Sequence, residues 1–184
     1  ANRNRRRNES PTLMIDLTPV QAAPRIASLL TARESRMLDF KRVSGKMVGK
    51  ALETICAFAN TEGGVLALGV ADEKQVSGVA RLFGIQENPE ALDELQRKVR
   101  TQFHPPIETI RFMSLPCTLR NGDAGQVVLV QTAKSDKVHS IVDDGTWLRL
   151  DAGNREMTAA EIAELSYRRG VKSAESEPVA VDWS

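Results

Sequence analysis

Downstream of Thr18-Pro19 the apolar residues Val20, Ala23, Ile26, Ala27 and Leu30 recur at three- and four-residue spacing, the repeat of a helix with one buried face. Thr18 offers a capping oxygen and Pro19 a preset φ at the first helical position. Pro24 lies inside the repeat and predicts a short or kinked helix, because it removes a backbone donor. Next, between Glu34 and Lys41, Met37 or Leu38 and then Phe40 alternate with polar groups, as in a half-buried strand. A second helix is expected from a Ser44 cap, with Met47, Val48, Ala51, Leu52, Ile55, Cys56 and Ala59 inward. Asn60 and Gly63-Gly64 end it, since both residue types tolerate positive φ. The uninterrupted apolar run from Val65 to Ala71 is the pattern of a central strand covered on both faces.

Asp72-Glu73-Lys74 turns the chain, and Gln75 to Val79 is expected to form a short partner strand. Asn88-Pro89 opens a third helix that turns Leu92, Leu95, Val99 and Phe103 inward, and His104-Pro105-Pro106 stops it. Strands are predicted over 107–115 and 126–132, with Asn121-Gly122-Asp123 as the turn between them. A last hairpin is expected to pair 139–142 with 146–150 around Asp143-Asp144-Gly145. Thr158 and Glu161 form a capping box for a closing helix through Ile162 and Leu165, ending at Gly170. This order describes an α/β (α+β) fold, a mixed sheet flanked by about four helices. Residues 1–16 read as a flexible basic arm or linker, 17–170 as the domain, and 171–184 as an acidic linker towards a missing C-terminal region of a longer chain.

Charge changes the picture only when divided along the chain. The net value of +1 averages an Arg-rich arm, an acidic tail, and a body in which basic and acidic side chains balance. Net charge therefore does not decide nucleic-acid affinity, and any basic surface must come from local clustering. No apolar stretch approaches the length of a membrane span, and no membrane partner is expected. Cys56 and Cys117 lie in no zinc-binding spacing and beside no activating base, which suits a reduced, cytoplasmic setting.

The most distinctive segment is Ala57-Phe58-Ala59-Asn60-Thr61-Glu62-Gly63-Gly64. Its small backbones beside Asn60 and Thr61 would let a ligand approach closely, and a tight connector is the alternative reading. It matches neither phosphate-loop pattern, so ATP is not an expected ligand. Together with Glu34-Ser35-x-x-Leu38-Asp39-Phe40-Lys41, Gly69-Val70-Ala71-Asp72, Gly78-Val79, His139 and Trp147-Leu148-Arg149, it resembles the Schlafen-type AlbA-like domain. The resemblance covers roughly residues 31–170.

That resemblance implies an α/β domain of larger proteins described as transcriptional regulators, with RNA or DNA as partner. It also implies, as an alternative, an RNA endonuclease with three carboxylates and Mg²⁺ or Mn²⁺. Glu34, Asp39 and Asp72 match the three acids, and Lys41 the neighbouring base. Hard divalent ions favour such oxygen ligands. Position 39 departs from the pattern, holding Asp where Glu is usual. On a strand, Asp39 and Lys41 share one face and Phe40 takes the other, so Glu34 must lie before the strand or across a bulge. For phosphate contacts the candidates are Lys41, Arg42, Lys46 and Lys50, with Arg149 and Arg155 from the last hairpin. Aromatic residues make up 4% of the chain, so a multi-aromatic stacking platform is not expected and recognition should be of backbone and shape. His139 is expected to be structural. A third reading is an interaction or assembly module, including a homo-oligomer or contact with further domains of the same polypeptide.

Overall fold

The computed structural model describes residues 13–176. The chain runs through β1 (Met14–Asp16), α1 (Pro19–Thr31), β2 (Leu38–Lys41), α2 (Met47–Asn60) and β3 (Gly64–Leu68). Two 3₁₀ turns, Gly78–Arg81 and Ile85–Glu87, lead to α3 (Pro89–Thr101) and β4 (Phe103–His104). The long strands β5 (Ile110–Thr118) and β6 (Ala124–Thr132) follow, then β7 (Ser140–Ile141), β8 (Trp147–Leu150), β9 (Gly153–Glu156) and α4 (Ala159–Ser176). Five strands form a mixed sheet in the order β1-β5-β6-β3-β2, while β4 pairs with β7 and β8 with β9.

The sheet is buried on both faces, and the period of two along its strands decides which layer each residue joins. Leu66, Leu68, Val128 and Val130 meet α2 and α3, joining Ile55, Phe58, Leu92 and Leu95. The intervening Ala67, Val127 and Leu129 meet Ala22 and Leu29 of α1, together with Phe40 and Met113. The α/β architecture with four helices is therefore as expected, in three layers. Among the described residues, no helix is long and apolar enough to cross a membrane.

Several local expectations are corrected. Helix α1 begins with the anticipated Thr18–Gln21 capping box but continues through Pro24 for 13 residues. Helix α2 starts at Met47, and Lys46 takes the N-cap position without a side-chain cap bond; Ser44 contributes only its carbonyl, to the Met47 amide. Gln75 to Val79 forms no strand, because the chain turns on Asp72 and enters the first 3₁₀ turn. Phe103 lies in β4, not in the preceding helix. The predicted hairpin is redistributed: β7 pairs with β4, and β8 turns back on β9 through Asp151 at φ 48°. A single bridge, Ile141 to Gly145, remains of the expected ladder. Helix α4 passes through Gly170 to Ser176, where open space replaces the chain reversal that the glycine suggested. Met14–Asp16, assigned to the basic arm, instead pairs with β5. The first six residues of the expected acidic linker, 171–176, instead continue α4, while residues 1–12 of the arm and 177–184 of the linker lie outside the described residues.

Candidate functional site

Glu34 precedes β2, as the spacing required, and its carboxylate folds back to accept the Phe40 amide at 3.4 Å. Asp39 points under α2, where it accepts a hydrogen bond from Thr54 at 3.3 Å. Lys41, two residues along the same face, approaches Asp39 at 2.9 Å. Phe40 takes the opposite face and packs in the α1 layer. The alternation across Asp39, Phe40 and Lys41 is thus the one that the sequence predicts.

The two acids are close enough to share a hydrogen bond, and they titrate apart. Burial, then the hydrogen bond and charge of Asp39, push the Glu34 carboxyl up to about 7. Burial opposes ionisation of Asp39, but the hydrogen bond from Glu34 and the charges of Lys41 and Arg149 outweigh it and hold Asp39 below the usual carboxylate range. Below about pH 7 the pair retains a proton, placed mainly on Glu34. Since the folded Glu34 value lies above the ordinary 4.5, its neutral form contributes stability below pH 4.5 that is lost as pH rises towards 7. Glu34→Gln keeps an acceptor for the Phe40 amide and a donor for Asp39, and it does not titrate. Urea midpoints for the two proteins should therefore diverge between pH 4.5 and 7 in favour of the variant, then run parallel above pH 7.5. Parallel curves across the whole range would show that no shared proton exists.

Asp72 sits near enough for its charge to add to the upward push on Glu34, and its own oxygen caps the Lys74 amide at 3.0 Å. Among the described residues, no group of three His, Cys, Asp or Glu side chains could hold a metal ion. The chemistry of the donors agrees. Asp39 is committed to Thr54, Lys41 and Arg149, so two cationic side chains already occupy the carboxylate that a hard cation would need. The acids are brought to one neighbourhood, but as an ion-paired network that does not fit Mg²⁺ or Mn²⁺.

Arg149 is corrected from a phosphate contact to an internal brace. It is 2% exposed. Its guanidinium donates to the Ser35 carbonyl at 2.9 and 3.1 Å, to Leu38 at 3.2 Å and to Asn154 at 3.0 Å, with Asp39 at 3.9 Å. Arg155 is exposed but held by a two-pronged bond to Glu161, at 2.8 and 2.6 Å. Arg42 pairs in the same way with Glu87, at 3.0 and 2.5 Å. Lys46 and Lys50 lie on the solvent face of α2, where Lys50 reaches Glu53 at 3.4 Å and Lys46 has no carboxylate partner among the described residues.

The Asn60–Gly64 segment is also corrected: its close approaches are to the protein itself. Asn60 is buried and donates to the carbonyls of His139 and Trp147, both at 2.9 Å, while accepting the His139 amide at 2.8 Å. Thr61 accepts the Arg149 amide at 3.0 Å. A Cβ on Gly63, which has φ +79°, would meet the Thr132 carbonyl at 2.8 Å, and one on Gly64 would meet the Phe58 ring at 2.7 Å. The glycines let β3 start hard against β6 and α2, so their own backbones are covered by protein, while Asn60, Thr61 and Glu62 border a cavity of about 360 Å³ with Arg36, Lys134 and Arg168.

Two further arginines act as Arg149 does, and sequence reasoning missed both. Arg81 reaches Ala71 at 2.8 Å and Leu29 at 3.1 Å, closing the end of α1. Arg169 reaches Ala59 at 3.2 Å, Asn60 at 2.6 Å and also Ser135, closing the end of α2. Helix ends leave carbonyls unpaired, and a guanidinium satisfies several at once. His139 is structural as expected, its ring between the Pro105 carbonyl and Ser135, each at 2.6 Å. Burial pushes the Cys56 thiol up to about 12, which removes it as a nucleophile.

Comparison with known proteins gives the family and the fold. The family model described as "Schlafen, AlbA_2" matches residues 34–158, from the first acid to the residue that caps α4. The chain belongs to the Schlafen, AlbA_2 family. Among solved structures, this Schlafen AlbA_2 chain is similar to the DIP2311 protein from Corynebacterium diphtheriae, with a TM-score of 0.52 and 18% identity. The match covers 82% of this chain and 32% of that one, so the chain spans about a third of the length of that protein. At this identity the likeness establishes the fold alone. The family match also includes Arg149 and Asn60, whose roles here are internal.

Proposed function

We propose that this domain binds nucleic acid through the sugar-phosphate backbone, as one module of a larger regulatory protein. Membership of the Schlafen, AlbA_2 family supports a nucleic-acid-related domain. The observation that carries the reading is the joint between β2 and α2, where Lys41, Arg42, Lys46 and Lys50 fall within ten residues. Helix α2 has no acidic residue in its first turn and no side-chain cap, so the positive end of its dipole is not neutralised there. A Cβ at Gly45 or Gly49 would meet nothing within 4 Å, which leaves the backbone open to a bulky polyanion. These features suit phosphate contacts and carry no means of reading base sequence.

The test is a titration of labelled RNA and DNA duplexes and single strands at several salt concentrations. Lys46→Ala combined with Lys50→Ala should weaken binding on every sequence alike and lower the salt slope by about two. An unchanged slope would remove this surface from the interface. Failure of the parent chain to bind either polymer at about 50 mM salt would overturn the reading and leave the interaction-module alternative.

A further inference from the structure

Arg120, at the turn joining β5 to β6, is exposed and has no carboxylate within ion-pair distance among the described residues. Its guanidinium is nevertheless fixed, 4.3 Å from the centre of the Phe83 ring. Arg42 lies over the same ring at 3.7 Å, with its charge met by Glu87. An aromatic ring thus holds two planar cations, one neutralised and one not, on a partly exposed surface.

Backbone contacts build this arrangement from four distant segments. The Phe83 amide donates to the Gly69 carbonyl at 3.0 Å, and the Gly69 amide to Lys41 at 2.8 Å. The Arg120 amide donates to the Leu82 carbonyl at 2.9 Å. Gly69 has φ +92°, and a Cβ there would lie 2.7 Å from the Gly84 backbone, so the chain leaving β3 packs directly against the residue that follows Phe83. The platform therefore adjoins the Lys41–Arg42 end of the basic joint, and backbone hydrogen bonds position the segments that carry it.

We propose that Phe83, Arg42 and Arg120 form a stacking platform for an unpaired nucleobase, which makes single-stranded nucleic acid the preferred partner of the basic joint. This deepens the nucleic-acid reading above and rests on it. A guanidinium laid on an aromatic ring presents a flat, weakly hydrated face that stacks on bases; the N–H edges of Arg42 are taken by Glu87, while those of Arg120 face no carboxylate among the described residues and can meet a phosphate. A duplex keeps its bases stacked on each other and offers the platform only phosphates. The few aromatics of the chain had argued against stacking. The structure answers with one ring that orders two arginines.

The experiment compares anisotropy titrations of a labelled 12-nucleotide single strand with its blunt duplex, using the full chain. The parent should bind the single strand more tightly. Phe83→Leu, which retains apolar volume, and Arg120→Lys, which retains charge, should each weaken single-strand binding by about 5- to 100-fold. Duplex affinity and the salt slope should change little. Thermal melts of both variants confirm folding, and Arg120→Lys, altered at an exposed side chain, serves where Phe83→Leu is unstable. Equal parental affinity for the two forms, or equal losses on both, overturns the platform while leaving backbone binding intact. Absence of binding to both forms overturns the platform and the nucleic-acid reading together.

Discussion

Replacing Arg149 with methionine should lower the unfolding free energy by about 3–5 kcal/mol, the range for removing one partner of a buried ion pair. Domains of this size hold roughly 5–15 kcal/mol in all, so the variant should lie near the folding threshold. Two losses combine. The carbonyls of Ser35 and Leu38 lose buried donors. Asp39, itself 4% exposed, loses one of its two cations and keeps only Lys41. Adding Asp39→Asn to Arg149→Met removes the charge that Arg149 balances, so the double variant should cost clearly less than the sum of the single ones. Chemical denaturation of the four proteins checks this. Additive losses, or a loss below about 1 kcal/mol for Arg149→Met, would show that the guanidinium is no internal brace.

Asn60→Ala should cost about 3 kcal/mol, because it strips a buried amide from three backbone partners and a lost partner costs roughly 1–3 kcal/mol at each buried group. The His139 carbonyl retains the Cys56 thiol at 3.2 Å, so the His139 amide and the Trp147 carbonyl bear most of the loss. Asn60→Asp separates hydrogen bonding from volume. A carboxylate still accepts the His139 amide but donates nothing, and it would face two carbonyl oxygens. It should be at least as destabilising as alanine, with the earliest exchange protection lost in β7 and β8. If aspartate were neutral, the segment would not be the latch described.

These two effects explain why the Ala57–Gly64 run stands out in the sequence: its polar groups and glycines fasten the chain to itself. Asn60 fastens β7 and β8, Thr61 takes the Arg149 amide, and Gly63 and Gly64 admit neighbouring chain at distances no Cβ permits. Polar residues beside glycine have the same composition whether they receive a ligand or another part of the chain. Charge is ambiguous in the same way. The balanced body counts Arg81, Arg149, Arg169 and Asp39 as though they faced water, yet all four are buried. What solvent and partners meet is the remainder, including Lys46 and Arg120.

By itself the sequence determined two of the helix caps and the layers. Thr18-Pro19 and Thr158 to Glu161 capped their helices as written, because a cap is a contact within four residues. The β3 run was buried on both faces as its unbroken apolarity required, and Phe40 and Asp39 divided between the layers by the period of two. The resemblance over the acids and the Ala57–Gly64 run gave the right family. Tertiary structure alone decided which charges were spent inside. Arg149 meets Ser35 across 114 residues and Asn60 meets His139 across 79, separations at which no periodicity carries information. It also decided strand pairing at the C-terminal end, where β7 chose β4 over its neighbour in sequence. Phe83 and Arg120 came together for the same reason: backbone bonds from Gly69 and Leu82 link chain segments that only the folded sheet makes adjacent.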